Sequence, residues 1–122
     1  VDRSIELYMK YKERVEKWER KQSQPPEEPE VYYLDKMDSG LYTLQNVVLV
    51  LAEVCVHMNS ARLRAVKLYK MKTGEERLSK HLVPILTEYQ ENLGENADKE
   101  RDRVDVLVSK ILAAEKAAHT AT

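Results

Sequence analysis

Leu34, Met37, Leu41, Leu44, Val48, Leu51 and Cys55 advance along the chain by three and four residues in alternation, which draws one face of a helix. Val47, Val50, Val54 and Met58 lie beside that stripe and widen it beyond a two-residue seam. The pattern predicts one long helix from about Pro29 to Met58, covered by neighbours on more than one side. Val47 to Leu51 alone would suit a β-strand, but the wider spacing decides for a helix. A membrane-spanning helix needs about 20 mostly apolar residues, and Gln45, Asn46 and Glu53 interrupt this stretch. Gly40 falls inside it at a cost of about 1 kcal/mol relative to alanine. Either a tight helix crossing or a junction of two shorter helices at Asp38-Ser39-Gly40 accounts for the glycine.

The other segments repeat the helical period. Tyr8, Tyr11, Val15 and Trp18, with Ile5 beside them, predict a helix over Val1 to Ser23. Glu6/Lys10, Glu13/Lys17 and Glu16/Arg20 are acid-first i,i+4 pairs and mark its solvated face. Pro25 and Pro26 stop that helix, so residues 22–28 read as a linker, and Pro29 suits the first turn of the next helix. Asn59 and Ser60 offer cap chemistry for a third helix with Ala61, Ala65, Leu68 and Tyr69 inward, ending near Lys72. Thr73 and Glu76 have the spacing of a capping box for a fourth, with Leu78, Leu82, Ile85, Leu86 and Tyr89 inward and Gly94 as its stop. Pro84 predicts a kink or restart near Val83. A last helix over about Ala97 to Ala117 buries Val104, Leu107, Val108 and Ile111, and residues 118–122 should fray.

Five consecutive helices and no surviving strand make the chain all-α, a bundle or a stacked solenoid. At 122 residues it is one small domain. It starts at Val1 rather than Met, which reads as a fragment or processed piece with no visible signal peptide. The single cysteine, Cys55, excludes an intrachain disulfide and suits a reducing compartment. Its place in the apolar helix makes it inert core rather than a reactive thiol.

Chemistry is sparse. No glycine-rich phosphate loop, CxxC or HExxH occurs. Cys55 and His57 are two apart and face different ways on a helix, His81 is an ordinary helix residue, and His119 sits in the tail. Glu27/Glu28 and Glu75/Glu76 fall at helix starts, where the dipole explains them. Neither an enzyme nor a bound cofactor or metal has a residue to rest on.

Charge says more. Net charge is −1, with 20 basic and 21 acidic residues, so no global field invites nucleic acid. Residues 25–59 nevertheless hold six acids and one base, Lys36, while residues 60–94 hold seven bases and four acids. Glu27, Glu28, Glu30, Asp35 and Asp38 make up most of the acidic stretch. Arg62, Arg64, Lys67, Lys70 and Lys72 form a candidate basic surface, either a solvated face complementing the acids or a site for an acidic protein or RNA. No aromatic stacking platform accompanies these bases, which disfavours RNA.

The motifs "VDRSIELYMKY", "YYLDKMDSGLYTLQNVVLVLAEVC" and "ILTEYQENLGE" resemble, in order from Val1 to about Glu95, the C-terminal portion of the β-catenin-like family of nuclear, spliceosome-associated armadillo-repeat proteins. The resemblance implies the end of an armadillo-like α-superhelix and a nuclear location. It implies a non-enzymatic scaffold in pre-mRNA splicing that binds basic, nuclear-localisation-like segments, for which Glu27, Glu28, Glu30, Asp35 and Asp38 would be the candidate docking surface. Partners implied are a Prp-nineteen-type splicing complex and a cell-division-cycle-five-like protein, with self-association a further option and no membrane. Pro25/Pro26, Pro84 and the segment after Asn96 depart from the family pattern. The alternative is an independent helical module that binds RNA through the basic third helix.

Overall fold

A computed structural model describes residues 1–22 and 28–120, with side chains through residue 118. The described residues are all-α, as the period predicts. Helix α1 spans Asp2–Arg20, α2 Pro29–Lys36, α3 Tyr42–His57, α4 Asn59–Thr73, α5 Leu78–Glu91 and α6 Asp98–Thr120. A wide π-type turn, Met37–Leu41, joins α2 to α3, so the two form one long helix bent in its first half. Five helical units result. The predicted linker's central residues 23–27, and with them Pro25, Pro26 and Glu27, lie outside the described residues, as do residues 121 and 122. Of the tail expected to fray, residues 118–120 continue α6.

Helix α3 is the pillar that the stripe predicts. It packs against α1, α4, α5 and α6, which is why it is apolar on most sides. Leu44, Val48, Leu51 and Cys55 are all buried, joined by Leu41 and Ala52. By composition Pro29–His57 could pass for a membrane span, with an 18-residue window of mean hydropathy 1.5. Within this fold the apolar face is instead taken up by four neighbouring helices. The stripe is over-extended at both ends, however. Leu34 is 62% exposed and Met58 54%, and Val50 on the flank of α3 is 54% exposed.

At Gly40 the two readings of the glycine merge. Its φ of 139° is open mainly to glycine, and this conformation bends α2 away from α3. The bend lies tight against α1: a Cβ there would stand 3.2 Å from Tyr11 Cδ1 and 3.6 Å from Arg14 Cβ.

Several local expectations give way to tertiary contacts. The capping box does not form, because Thr73 still belongs to α4 and donates its hydroxyl to the Tyr69 carbonyl at 2.7 Å. Gly74, at φ 81°, ends α4 in the left-handed region. The first turn of α5 is closed by Glu115 from α6, which accepts from Ser79 N and Ser79 Oγ at 2.7 Å each. Asn59 and Ser60 make no cap either, since Met58 holds that position in extended conformation. No restart occurs at Pro84: α5 runs through it. One turn earlier, the Tyr8 hydroxyl of α1 donates to the His81 carbonyl at 3.1 Å. Helix α5 stops at Glu91 with Asn92 as cap, and the left-handed residue of the following turn is Asn96 rather than Gly94. Within α1 the ion pairs are Arg3–Glu6 and Lys12–Glu16 in place of the three acid-first pairs.

Candidate functional site

Helix α2 owes its position to a few contacts along its inner edge. Pro29 sits in its first turn as expected, and Glu28 precedes it in extended conformation. No residue of α2 is fully buried. Tyr32 packs on Trp18 of α1 with ring centroids 5.1 Å apart. The buried Gln45 amide donates to the Tyr33 hydroxyl at 3.1 Å. Lys36 completes the edge, donating to Glu88 of α5 at 2.9 Å and lying 3.6 Å from Glu19 of α1. Burial works against the charge of Lys36, yet its hydrogen bond to Glu88 and the two carboxylates raise its pKa overall. One lysine therefore ties three helices together.

That arrangement decides the charge of the outer face. Lys36 is the one base among residues 25–59, and it points inward to Glu19 and Glu88. Glu28, Glu30, Asp35 and Asp38 are exposed on the other side, with Val31 (49% exposed), Leu34 and Tyr42 (63%) among them. Glu27, the fifth candidate, lies outside the described residues. Among the described residues no ion pair links these acids to α4, and α2 makes no contact with α4. The acids therefore do not neutralise the basic helix from within. The apolar members were not legible as exposed residues, because Leu34 continues the period of the core stripe.

The basic candidates do not converge. Arg62, Arg64, Lys67, Lys70 and Lys72 all lie on α4, but at about 100° per residue they spread around the helix, with Lys72 on the side of Leu68 and Tyr69, and share no one face. Arg64 is clamped by Asp2 of α1, with Nε and Nη2 donating at 3.1 and 2.9 Å; the Arg64 hydrogen bond holds the Asp2 carboxyl below its usual range. Lys70 lies 3.6 Å from Glu76, and Arg62 donates to Asn59. The acidic complement is thus Asp2 and Glu76. The apolar residues exposed between the bases are Leu63 and Met71, which offer no ring for a base to stack on.

Reactive chemistry finds no assembly. Cys55 is 2% exposed, and burial pushes its thiol up to about 11. His57 is turned outward, 3.2 Å from Glu53, so the two never share a site. No group of three His, Cys, Asp or Glu side chains is placed to hold a metal among the described residues. The His81 ring instead stacks on Tyr69, centroids 4.1 Å apart, in a cluster with Tyr8.

Comparison with known proteins gives a consistent family signal. The model of the family described as "Catenin-beta-like, Arm-motif containing nuclear" matches residues 1–86. Beta-catenin-like protein 1 of Homo sapiens is 27% identical over 113 residues, covering 82% of this chain and 20% of that protein. The Bos taurus protein of the same name is 26% identical over the same length, and that of Rattus norvegicus 30% over 70 residues. The chain thus spans about a fifth of the length of the curated relatives it matches over its greater part. No solved structure matches.

Proposed function

Since the chain belongs to the catenin-beta-like family of Arm-motif-containing nuclear proteins, we propose that it is the armadillo-like end of a non-enzymatic nuclear scaffold. On this reading it acts in pre-mRNA splicing and docks basic, nuclear-localisation-like segments of partner proteins. Those partners would belong to a Prp-nineteen-type complex, a cell-division-cycle-five-like protein among them. The observation that carries the reading is the outer face of α2. Exposed Glu30, Asp35 and Asp38 surround Leu34, while the neighbouring Lys36 is withdrawn to Glu19 and Glu88. A basic segment meets uncompensated carboxylates there, and its aliphatic stems can lie on Leu34 and Val31.

The test is binding of a lysine-rich nuclear-localisation-type peptide to the chain and to a Glu30→Lys/Asp35→Lys variant, each at two salt concentrations. The expected result is binding that fades with salt and is lost in the variant. A folded variant that binds equally at both salts removes this face from consideration. The RNA alternative has less support, because Arg64 and Lys70 are already engaged by Asp2 and Glu76.

A further inference from the structure

Helices α4 and α6 both pack on α3 and α5, yet no Cα of one comes within 8 Å of the other. Between them lies a half-open groove of about 620 Å³. Its walls include Leu63, 55% exposed, and Leu112, 48% exposed, with Val66 between them. Through Arg62, Val66 and Glu115 it continues into a smaller hollow floored by Cys55 and Ile111. Its far wall, α6, begins at Asp98, beyond the residues matched by the family model.

The rim of the groove is basic in effect. The groove and the adjoining hollow are together lined by four bases, Arg62, Arg77, Lys110 and Lys116, of which Lys110 belongs to the hollow. Against them stand two carboxylates: Glu76, 3.6 Å from Lys70, and Glu115, which keeps its charge while accepting two hydrogen bonds from Ser79. Arg62 likewise keeps its charge, donating to the neutral Asn59. An apolar trough between two helices accepts a third helix by its hydrophobic face, and the rim selects the charge of that helix. We propose that the groove docks an acidic amphipathic helix of a partner protein. Its leucine-type side chains lie against Leu63, Val66 and Leu112, and its carboxylates face Arg62 and Lys110. A nucleic acid fits less well, because the lining is aliphatic and gives bases nothing to stack on.

The experiment uses fluorescence anisotropy with three probes: a synthetic helix of leucines at three- and four-residue spacing with glutamates elsewhere, its lysine counterpart, and oligouridine. The expected result is that the glutamate helix binds and that Arg62→Glu/Lys110→Glu weakens it at least about tenfold. Leu63→Asp weakens it as well, and binding of the lysine helix does not fall in either variant. Should the double variant lose its helical circular dichroism, Lys110→Gln and Leu63→Asp, both at surface positions, carry the same test. The proposal is overturned if the glutamate helix does not bind or binds folded variants unchanged. It is also overturned if oligouridine is the ligand lost with Arg62 and Lys110. Sedimentation covers the remaining occupant: self-association abolished by the double variant would assign the groove to the acidic α2 of a second copy. Because Glu30→Lys/Asp35→Lys leaves this groove intact, failure here and failure of the α2 reading are separately visible.

Discussion

Gly40 lies against Tyr11: a Cβ on the glycine would stand 3.2 Å from Tyr11 Cδ1, at a backbone φ of 139°. Both the bend between α2 and α3 and the close approach of α1 depend on a missing side chain. Gly40→Ala combines a tight contact with Tyr11 and a conformation that L-residues rarely adopt, and about 1–3 kcal/mol of destabilisation is expected. Urea unfolding monitored by circular dichroism measures it. A cost no greater than the few tenths of a kcal/mol typical of neutral surface changes would mean that the bend can be made without glycine.

Leu51 and Leu34 occupy the same stripe in the sequence and opposite environments in the fold. Leu51 is 1% exposed at the centre of α3, whereas Leu34 is 62% exposed. Leu51→Ala should cost about 2–5 kcal/mol by leaving a cavity, and Leu34→Ala should stay within about 0.5 kcal/mol. Paired thermal melts compare the two. Equal losses would contradict the placement of α2 at the edge of the fold.

This pair also shows what the sequence could and could not reveal. Period 3.6 identifies helices, and α1, α3, α4, α5 and α6 all follow from it, down to core residues such as Val104 and Ile111. It cannot say where a helix runs out of neighbours, so Leu34, Val50 and Met58 read as core. Caps failed for a related reason. Thr73 and Glu76 have the spacing of a local motif, but the donors at the start of α5 are met by Glu115, 36 residues from Ser79. The acidic surface was legible as a run of charge. That Lys36 does not offset it was not, since Glu19 and Glu88 are distant in sequence. The groove between α4 and α6 depends on two helices staying apart, which no local pattern records.

Cys55 offers a probe of the interior. Burial raises its thiol to about 11, and the thiolate is the reactive form. Native protein at pH 8 should react with a disulfide reagent far more slowly than protein unfolded in urea. The sign of its linkage is also fixed. Above pH 9 an unfolded thiol ionises while the folded one keeps its proton, so stability contributed by Cys55 falls as pH rises from about 9 to about 11. Cys55→Ala removes that slope. Rapid labelling of the native chain at pH 8 would place the thiol outside the core.

Glu75 governs the opposite end of the pH scale. Its carboxylate accepts from Arg77 Nε and Nη2, at 3.1 and 2.7 Å, and from the Arg77 amide at 3.1 Å. Led by the Arg77 side-chain hydrogen bond, these contacts lower its pKa from 4.5 to about 2. The unfolded chain takes up this proton first as pH falls, so the stability linked to Glu75 is complete above about 4.5 and is lost on the way down to about 2. Because the pair is exposed, salt should weaken the effect. The turn it holds connects α4 to α5, where Glu75 also accepts at its carbonyl from the His81 ring at 2.8 Å. Glu75→Gln is therefore expected to lower stability above about pH 4.5 and so to flatten the acid limb of a stability-against-pH curve between about pH 4.5 and pH 2, with variant and parent converging near pH 2. Chemical denaturation at half-unit pH steps, in low and high salt, gives that curve. An acid limb identical in the variant and the parent at low salt would show that the Glu75–Arg77 contact does not persist in solution.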